Sequence, residues 1–361
     1  MQYKTIGEIC TVVSGTTPKS DKAEYWGGNL IWITPAELKE GNAVIYDSVR
    51  HITKAAVKAS ALKSFPKGTV ILSSRAPIGK VAIAGTKMYC NQGFKNLICS
   101  EAIYNGYLYY YLKAKTAYLN SLGRGATFRE ISKQIVEKIK IPVPSMQEQH
   151  RIADILFKID SLMGKRQQQA EKLDELVKAR FVEMFGDPVL NTRRLPLVSG
   201  TSLFKLSNGK AVPVEKRFDS GIPAYGGNGI SWYTDEALIN TDTLVVGRVG
   251  FQSGNVHFVY GPLWITDNAM YVTWYRKELI CLRFLNQLMK RVDFSRYQDA
   301  GDLKKITQKP FMKFEYILPS MNLQMEFVNF MDSVNCEKER IQRSAALLET
   351  LKRSLMQQYF G

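Results

Sequence analysis

The chain contains an internal repeat that aligns without gaps at one constant offset. The segment IPVPSMQEQHRIADILFKIDSL, from Ile141, lies over YILPSMNLQMEFVNFMDSVNCE, from Tyr316, and the register holds until Gly186 lies over Gly361. One offset kept over about 45 residues indicates a duplicated structural unit and not chance similarity. Any fold proposed for this chain must therefore contain two related halves.

Both copies have the hydrophobic period of a long helix. Apolar residues recur in heptads, and further apolar positions follow three and four residues later. Roughly 40 residues form a rod of roughly 60 Å, whose apolar stripe needs a partner. The second copy is the obvious partner, so we predict an antiparallel coiled coil; an ordinary long core helix is the alternative. The residues predicted to pair the helices are Ile152, Ile155, Ile159, Leu162, Leu173, Leu176, Phe327, Phe330, Val334, Ile341, Leu348, Leu351 and Leu355.

The two regions that precede the helices are rich in short β-type runs separated by Gly, Pro and Asn. Such runs occupy residues 30–33, 69–72 and 81–83 in the first half and 243–246, 255–259 and 270–272 in the second. We therefore predict an α+β fold with pseudo-two-fold symmetry. Its segments are a globular domain over 1–143, a spacer helix over 144–186, a second globular domain over 187–318 and a second spacer helix over 319–361.

The motifs of several enzyme and metalloprotein classes are missing from the sequence. The three histidines lie far apart, and neither a GxxxxGK[ST] loop nor a GxGxxG motif after a strand occurs. The five cysteines are odd in number and form no CxxC, which predicts neither a disulfide framework nor a zinc site. No apolar stretch approaches the ~18 residues of a membrane helix, and the first residues contain no signal peptide. We expect a soluble, cytoplasmic binding protein that holds no cofactor or metal of its own.

The net charge of +16 belongs to the two globular regions. Residues 1–145 contain 20 Lys and Arg against 9 Asp and Glu, and residues 187–320 contain 17 against 12. Residues 146–186 contain 7 of each sign and residues 321–361 contain 5 of each, so the helical segments are neutral. Neutral helices suit contacts with protein, whereas basic globular domains suit a polyanion such as DNA. A basic surface that serves only solubility is the alternative.

Basic, amide and aromatic residues are interleaved in the predicted loops of both globular regions. Arg and Lys can hydrogen-bond guanine, Asn and Gln can hydrogen-bond adenine, and other basic groups can bind phosphate. For each single residue, an ordinary role in a loop or turn is the alternative. The candidates in the first region are Thr17, Lys19, Lys22, Tyr25, Trp26, Asn29, Arg75, Lys80, Asn91, Gln92, Lys95, Arg124 and Arg129. Those in the second region are Lys210, Lys216, Arg217, Tyr225, Asn228, Trp232, Arg248, Gln252, Asn255, Asp267 and Asn268.

The order of these segments resembles the specificity subunit of type I restriction-modification enzymes over essentially the whole chain. The resemblance rests on IKIPVPSMQEQHRI before the first helix, FEYILPS before the second, and the segment SSRAPIGKVAI. Both helices end in Phe-Gly. The second helix departs from the pattern, because Leu323-Gln324-Met325 stands where the first has Glu148-Gln149-His150.

By this resemblance, the globular regions are target-recognition domains that each read one half of a split, asymmetric DNA target. The helices are spacers that set the distance between the half-sites. In the family, two methyltransferase subunits bind S-adenosylmethionine and methylate adenine, and restriction or motor subunits that use ATP and Mg can join them. The chain itself would be non-catalytic. Two other hypotheses remain: a coiled-coil assembly adaptor that binds nucleic acid without reading sequence, and an unrecognised nuclease or methyltransferase within this chain.

Overall fold

The computed structural model of the protein describes residues 2–39, 41–75, 77–124, 129–301 and 304–361. It has an α+β fold, as predicted. The described residues form two compact units: unit 1 comprises Met1–Gln169 together with Ile341–Gly361, and unit 2 comprises Ala170–Arg340. The predicted boundaries at residues 143, 186 and 318 separate globular from helical segments, whereas each compact unit contains parts of both long helices. Those boundaries stay a prediction.

Unit 1 contains strands and short helices that precede the first long helix. The strands are β1 (Gln2–Thr5), β2 (Cys10–Ser14), β3 (Trp26–Ile33), β4 (Val44–Ile45), β5 (Arg50–Ile52), β6 (Val70–Ser73), β7 (Val81–Ala84), β8 (Tyr89–Cys90), β9 (Phe94–Cys99) and β10 (Lys140–Val143). The helices are α1 (Ile6–Ile9), α2 (Lys54–Ala59), α3 (Asn105–Ala114), α4 (Thr116–Ser121) and α5 (Lys133–Glu137), followed by the long helix α6 (Met146–Phe185).

Unit 2 repeats this organisation before the second long helix. Its strands are β11 (Leu197–Ser199), β12 (Phe204–Asn208), β13 (Ile222–Gly226), β14 (Gly229–Thr234), β15 (Thr243–Gly247), β16 (Val256–Val259), β17 (Trp264–Ile265), β18 (Ala269–Tyr275) and β19 (Glu315–Ile317). Its helices are α7 (Gly200–Leu203), α8 (Leu282–Met289) and α9 (Lys309–Lys313), followed by the long helix α10 (Met321–Phe360).

The sheets of the two units have corresponding strand orders. Unit 1 has a five-stranded sheet, β2-β9-β6-β7-β4, and unit 2 has a four-stranded sheet, β12-β18-β15-β16. Each unit also has a three-stranded sheet, β5-β3-β8 in unit 1 and β14-β13-β17 in unit 2. A two-stranded ribbon, β1-β10 or β11-β19, immediately precedes each long helix. The globular parts of the two units thus share a topology, with β4 present in unit 1 only among the described residues.

The length of the two long helices and the alignment of their ends in the repeat confirm the sequence prediction. Each spans 40 residues. Met146 and Phe185, at the ends of α6, lie over Met321 and Phe360, at the ends of α10, in the gapless alignment of the repeat. Both copies of the repeat therefore begin and end their helix at the same place.

The long helices pair antiparallel within unit 1. Asp160 of α6 pairs with Lys352 of α10 at 2.6 Å, and Arg151 lies over the ring of Tyr359. Residue numbers therefore rise along α6 while they fall along α10, which only an antiparallel pair allows.

The same antiparallel pairing occurs within unit 2. Asp174 pairs with Lys338 at 2.6 Å, and Arg180 pairs with Glu326 at 2.8 Å. The ring of Phe181 meets that of Phe327 edge-on, with centroids 5.4 Å apart. The predicted antiparallel coiled coil is confirmed.

The buried face of each long helix is narrower than the heptad pattern predicts. Leu162, Leu176 and Leu351 are exposed by 38%, 46% and 47%, and their part in pairing the helices stays a prediction. Positions four apart differ by about 40° around a helix, whereas positions three apart differ by about 60° in the opposite sense. Each of the three leucines lies three residues after an apolar heptad position, which places it at the edge of the buried face. Buried members of the predicted set are Ile152, Ile159, Phe327, Val334 and Ile341; partly buried ones are Ile155, Leu173, Phe330, Leu348 and Leu355.

A buried glutamine joins the start of α6 to the globular part of unit 1. Gln149 is 1% exposed, and its Oε1 accepts a hydrogen bond from the backbone N–H of Tyr104 at 2.8 Å. Its Nε2 donates to the carbonyl oxygens of Ala102 and Pro144 at 3.2 and 3.0 Å. One side chain therefore satisfies three backbone groups that would otherwise be buried without partners.

Gln324 makes the same set of contacts in unit 2. It is fully buried, its Oε1 accepts from the backbone N–H of Cys281 at 2.8 Å, and its Nε2 donates to Leu279 and Pro319 carbonyls at 2.8 and 2.9 Å. The substitution pattern around it, Leu323 and Met325, leaves this contact intact. The repeat thus preserves a specific hydrogen-bond arrangement as well as the helical period.

Replacing Gln149 with alanine should destabilise unit 1 by about 2–4 kcal/mol, because the three backbone groups lose their partner in a buried site. Denaturant unfolding of the full chain, followed by circular dichroism, measures the change. Gln147→Ala is the matched control, since Gln147 is exposed two residues earlier, and it should shift stability by no more than about 0.5 kcal/mol. Equal unfolding midpoints for the two variants would contradict the role of Gln149.

Candidate nucleic-acid interface

The predicted binding residues of unit 1 are mostly at the surface. Exposed ones are Thr17, Lys19, Lys22, Asn29, Arg75, Gln92, Arg124 and Arg129; partly buried ones are Tyr25, Trp26, Lys80 and Asn91. Lys95 alone among these candidates is buried. The set therefore remains available as a surface, apart from this residue.

Two loops of unit 1 are joined by polar contacts. The Thr17 hydroxyl hydrogen-bonds the Gln92 side chain, and the Lys19 carbonyl accepts from the indole N–H of Trp26 at 3.2 Å. Asn91 holds the same loop as Gln92, because its Oδ1 accepts from the backbone N–H of Gly93 at 3.0 Å. These contacts bring candidates that are far apart in sequence onto neighbouring loops.

A second cluster in unit 1 is centred on the carboxylate of Glu130. Arg75 pairs with it at 3.2 Å, and Lys95 pairs with its other oxygen at 3.2 Å. The backbone of Glu130 also forms bridges with Arg75 and Arg124. The carboxylate offsets part of the positive charge here, so this cluster is less basic than the sequence indicated.

Lys95 is buried, unlike the other candidates of unit 1, and its contact with DNA stays a prediction. Its side chain is 6% exposed, and its ammonium bonds the Ser74 hydroxyl and Glu130, both at 3.2 Å. Lys95 lies in strand β9, between β2 and β6, where strand pairing turns its side chain inward. It is a buried cation that joins β9 to the segment carrying Glu130.

Lys80 lies in a different setting from the loop candidates. It borders a cavity of about 710 Å³ together with Lys39, Lys113 and Tyr109. Burial raises the pKa of Tyr109 to about 12, so the phenol stays protonated at neutral pH. The cavity is therefore bordered by three lysines and a tyrosine.

The predicted residues of unit 2 are also largely at the surface. Exposed ones are Lys210, Arg217, Asn228, Trp232, Gln252, Asn255, Asp267 and Asn268; partly buried ones are Lys216, Tyr225 and Arg248. Lys216 forms an ion pair with Glu236 at 2.7 Å, which raises the pKa of the lysine. Lys210 faces the surface, while its carbonyl accepts from the indole N–H of Trp264 at 2.7 Å.

Arg248 is anchored by both its backbone and its side chain. Its N–H donates to the Asn268 carbonyl and its own carbonyl accepts from Ile306, each at 2.9 Å. Its guanidinium donates to the Asp267 carbonyl at 3.2 Å. The structure thus brings Arg248, Asp267 and Asn268 together, although strands β16 and β17 separate the arginine from the other two along the chain.

Sequence reasoning missed exposed groups beside these candidates. Phe251 is 89% exposed on the loop that follows Arg248, and Arg50 is exposed with its guanidinium stacked on Trp26. The sequence could have indicated an exposed Phe251, because this large apolar residue stands between Gly250 and Gly254, both of which have positive φ. For Arg50 no local signal existed, because the stacking depends on the pairing of β3 with β5.

Among the described residues, no helix is long and apolar enough to span a membrane. The described part of the chain also contains no group of three or more His, Cys, Asp or Glu side chains arranged to hold a metal ion.

Part of the chain is similar to known specificity subunits. Residues 1–172 match the family model of the type I restriction modification DNA specificity domain. Over 187 residues the chain is 41% identical to the type I restriction enzyme MjaIX specificity subunit of Methanocaldococcus jannaschii, an alignment that covers 51% of this chain and 43% of that subunit. It is 23% identical over 354 residues to the EcoprrI specificity subunit of Escherichia coli, covering 92% and 87% of the two chains.

A solved structure shares the fold over the whole chain. The S subunit of a type I restriction-modification system from M. genitalium superimposes with a TM-score of 0.67 at 16% identity, covering 100% of this chain and 96% of that one. This likeness concerns the fold of the chain, and the family match concerns residues 1–172. Residues 1–172 match the type I specificity domain, and over this part of the chain the resemblance noted in the sequence is confirmed.

Replacing Lys95 with methionine should lower the stability of unit 1 by about 1–3 kcal/mol, because Glu130 and Ser74 lose a buried partner. It should leave the salt dependence of DNA binding unchanged. Lys22→Met is the matched control: Lys22 is exposed, so stability should hold while the slope of log K against log salt falls by about one if Lys22 contacts a phosphate. Unfolding curves and salt titrations measure both. A reduced salt slope for Lys95→Met would identify Lys95 as a residue that contacts DNA.

Proposed function

We propose that this protein is the non-catalytic, sequence-specific DNA-binding specificity subunit of a type I restriction-modification complex. It reads a split, asymmetric target, with one half-site for each globular domain. The observation that supports this most is that units 1 and 2 repeat one topology but carry different exposed side chains on it. A single docking mode used twice with two sets of contacts gives two different half-sites.

The distribution of charge supports the division of roles. Both basic globular regions suit the phosphate backbone, whose neutralisation provides most of the sequence-independent affinity. The loops with Arg, Asn and Gln supply groups that can distinguish base pairs in the major groove. The neutral helices suit protein contacts and the setting of a fixed distance, because a paired helical rod is stiff.

We propose two methyltransferase subunits as the protein partners, with restriction or motor subunits as further members of the complex. S-adenosylmethionine would bind to the methyltransferase partner, and ATP and Mg to a restriction partner. An adenine would leave the base stack to reach the methyltransferase pocket, at a cost of a few kcal/mol. Such a complex would act on cytoplasmic DNA.

The direct test is to reconstitute the full chain with its methyltransferase partner and to map methylated adenines on genomic DNA. We expect one split consensus with a constant gap. A scatter of modified sites without a consensus would contradict sequence-specific recognition and favour the adaptor hypothesis. Methylation by the purified chain alone would contradict the non-catalytic role.

Arg248→Ala should relax recognition in the half-site read by unit 2 only. The guanidinium donates to the Asp267 carbonyl on an anchored loop, and loss of one good base contact costs about 1–3 kcal/mol. Methylation mapping with the variant complex measures the base preference at each position. Arg75→Ala is the matched control, since Arg75 occupies the corresponding loop of unit 1. Equal effects on both half-sites would make Arg248 a general anchor or a structural residue.

Inserting one heptad into each long helix, after Gln168 and after Arg343, should widen the gap between the half-sites. Seven residues add about 10 Å to a helix, which corresponds to roughly three base-pair steps of DNA. A heptad keeps the apolar stripe in phase, so pairing should persist. The same insertion placed in the exposed turn after Leu190 should leave the gap unchanged. A variant with heptads that methylates the parent target would refute the spacer role.

A further inference from the structure

An exposed arginine is stacked on tryptophan in the three-stranded sheet of unit 1. The guanidinium carbon of Arg50, in β5, lies 3.6 Å from the centroid of the Trp26 ring and 5.5 Å from that of Trp32. The two rings meet edge to face with centroids 5.1 Å apart. Trp32 is 2% exposed and its indole N–H donates to the Thr16 carbonyl at 3.1 Å. The stack therefore rests on a buried, hydrogen-bonded ring.

Unit 2 contains a second arginine–tryptophan stack in its own three-stranded sheet. The guanidinium carbon of Arg217 lies 4.8 Å from the Trp232 ring centroid, and its Nε donates to the Val212 carbonyl at 3.0 Å. Trp232, in β14, is 44% exposed. The ring and the backbone contact together hold the plane of this guanidinium.

The two stacks occupy corresponding places. In unit 1, Trp32 of the central strand β3 pairs in parallel with Tyr89 and antiparallel with Arg50. In unit 2, Ala224 of the central strand β13 pairs in parallel with Trp264 and antiparallel with Trp232.

Arg50 and Trp232 therefore hold the same position in their outer strands, and the residue types are exchanged. The arginine is on the outer strand in unit 1, whereas the tryptophan is on it in unit 2. The partner comes from the start of β3 in one case and from the segment before β13 in the other. A duplication that kept each residue type at its position would place arginine on the outer strand of both units. The feature that the two units share is therefore the arginine–tryptophan contact.

These stacks add little to stability, since an exposed cation–π contact is weak. Asp47, three residues before Arg50, pairs with His51, and Lys216, the residue before Arg217, pairs with Glu236. Stacking on a tryptophan ring restricts the orientation of each guanidinium at the surface. A fixed plane matters for a ligand that accepts two parallel hydrogen bonds, and is of little use for a point contact with phosphate.

We propose that Arg50 and Arg217 are the guanine-reading residues of the two target-recognition domains, one in each half-site. Each stacked guanidinium donates two hydrogen bonds to O6 and N7 of a guanine in the major groove. The tryptophans position the arginines and reduce the entropy lost on binding. This inference rests on the proposed function and names two of its specificity-determining residues.

The test selects bound sequences from a random duplex pool with the full chain in complex with its methyltransferase partner. Arg50→Lys keeps the charge but loses the planar fork. We expect it to lower the preference for guanine at one position of one half-site at least about fivefold, with the other half-site unchanged. Arg217→Lys should do the same in the other half-site. Arg151→Lys is the control, because Arg151 also stacks on a ring, that of Tyr359, but on helix α6; its consensus should equal that of the parent.

Trp26→Phe and Trp232→Phe test positioning, since each keeps an aromatic ring with a weaker cation–π face. They should partly reduce the same guanine preferences, and thermal unfolding should show that all variants are folded. Lysine variants with unchanged consensus, half-sites without guanine, or a uniform loss of affinity with base preferences intact would each overturn the inference. A parent complex that selects no split consensus would instead refute the proposed function, and the inference with it.

Discussion

Antiparallel pairing of α6 and α10 governs how both units of the protein are built. Each unit contains the beginning of one long helix and the end of the other. In unit 1, Phe360 near the end of α10 is buried against Tyr107 and Tyr111. In unit 2, Phe181 and Phe185 at the end of α6 join the aromatic core. Neither core is complete without residues from both helices, so the fold of each unit is coupled to formation of the pair.

Polar contacts make this coupling specific. Gln149 and Gln324 attach the first turn of each long helix to the backbone that precedes α3 or α8, and ion pairs such as Asp160–Lys352 and Asp174–Lys338 select the antiparallel register. Equal numbers of charges in the helical segments allow these pairs to form without an excess of either sign. The basic surplus is thereby confined to the globular parts, where a nucleic acid is the expected ligand.

Much of the architecture could be predicted because its signals are local or repeated. The length of the helices, their common offset and their pairing followed from periodicity and from one alignment. The exposure of single basic side chains was predicted less well. Lys95 was selected for its charge, although pairing of β9 with β2 and β6 buries it beside Glu130. Arg50 was overlooked, although pairing of β3 with β5 places it on Trp26. In both cases a contact between residues distant in the chain decided whether a basic group is at the surface.

The amino-acid sequence is sufficient to establish two related halves, each with a basic globular part and a long neutral helix, and to establish the resemblance to specificity subunits. These properties depend on period, composition and repetition, which are readable along the chain. Folding in three dimensions determines which basic side chains are exposed, which are neutralised by Glu130 or Glu236, and which are held in a plane by tryptophan. The reason is physical: exposure and side-chain orientation are set by strand register and packing, and those depend on contacts that no local pattern encodes.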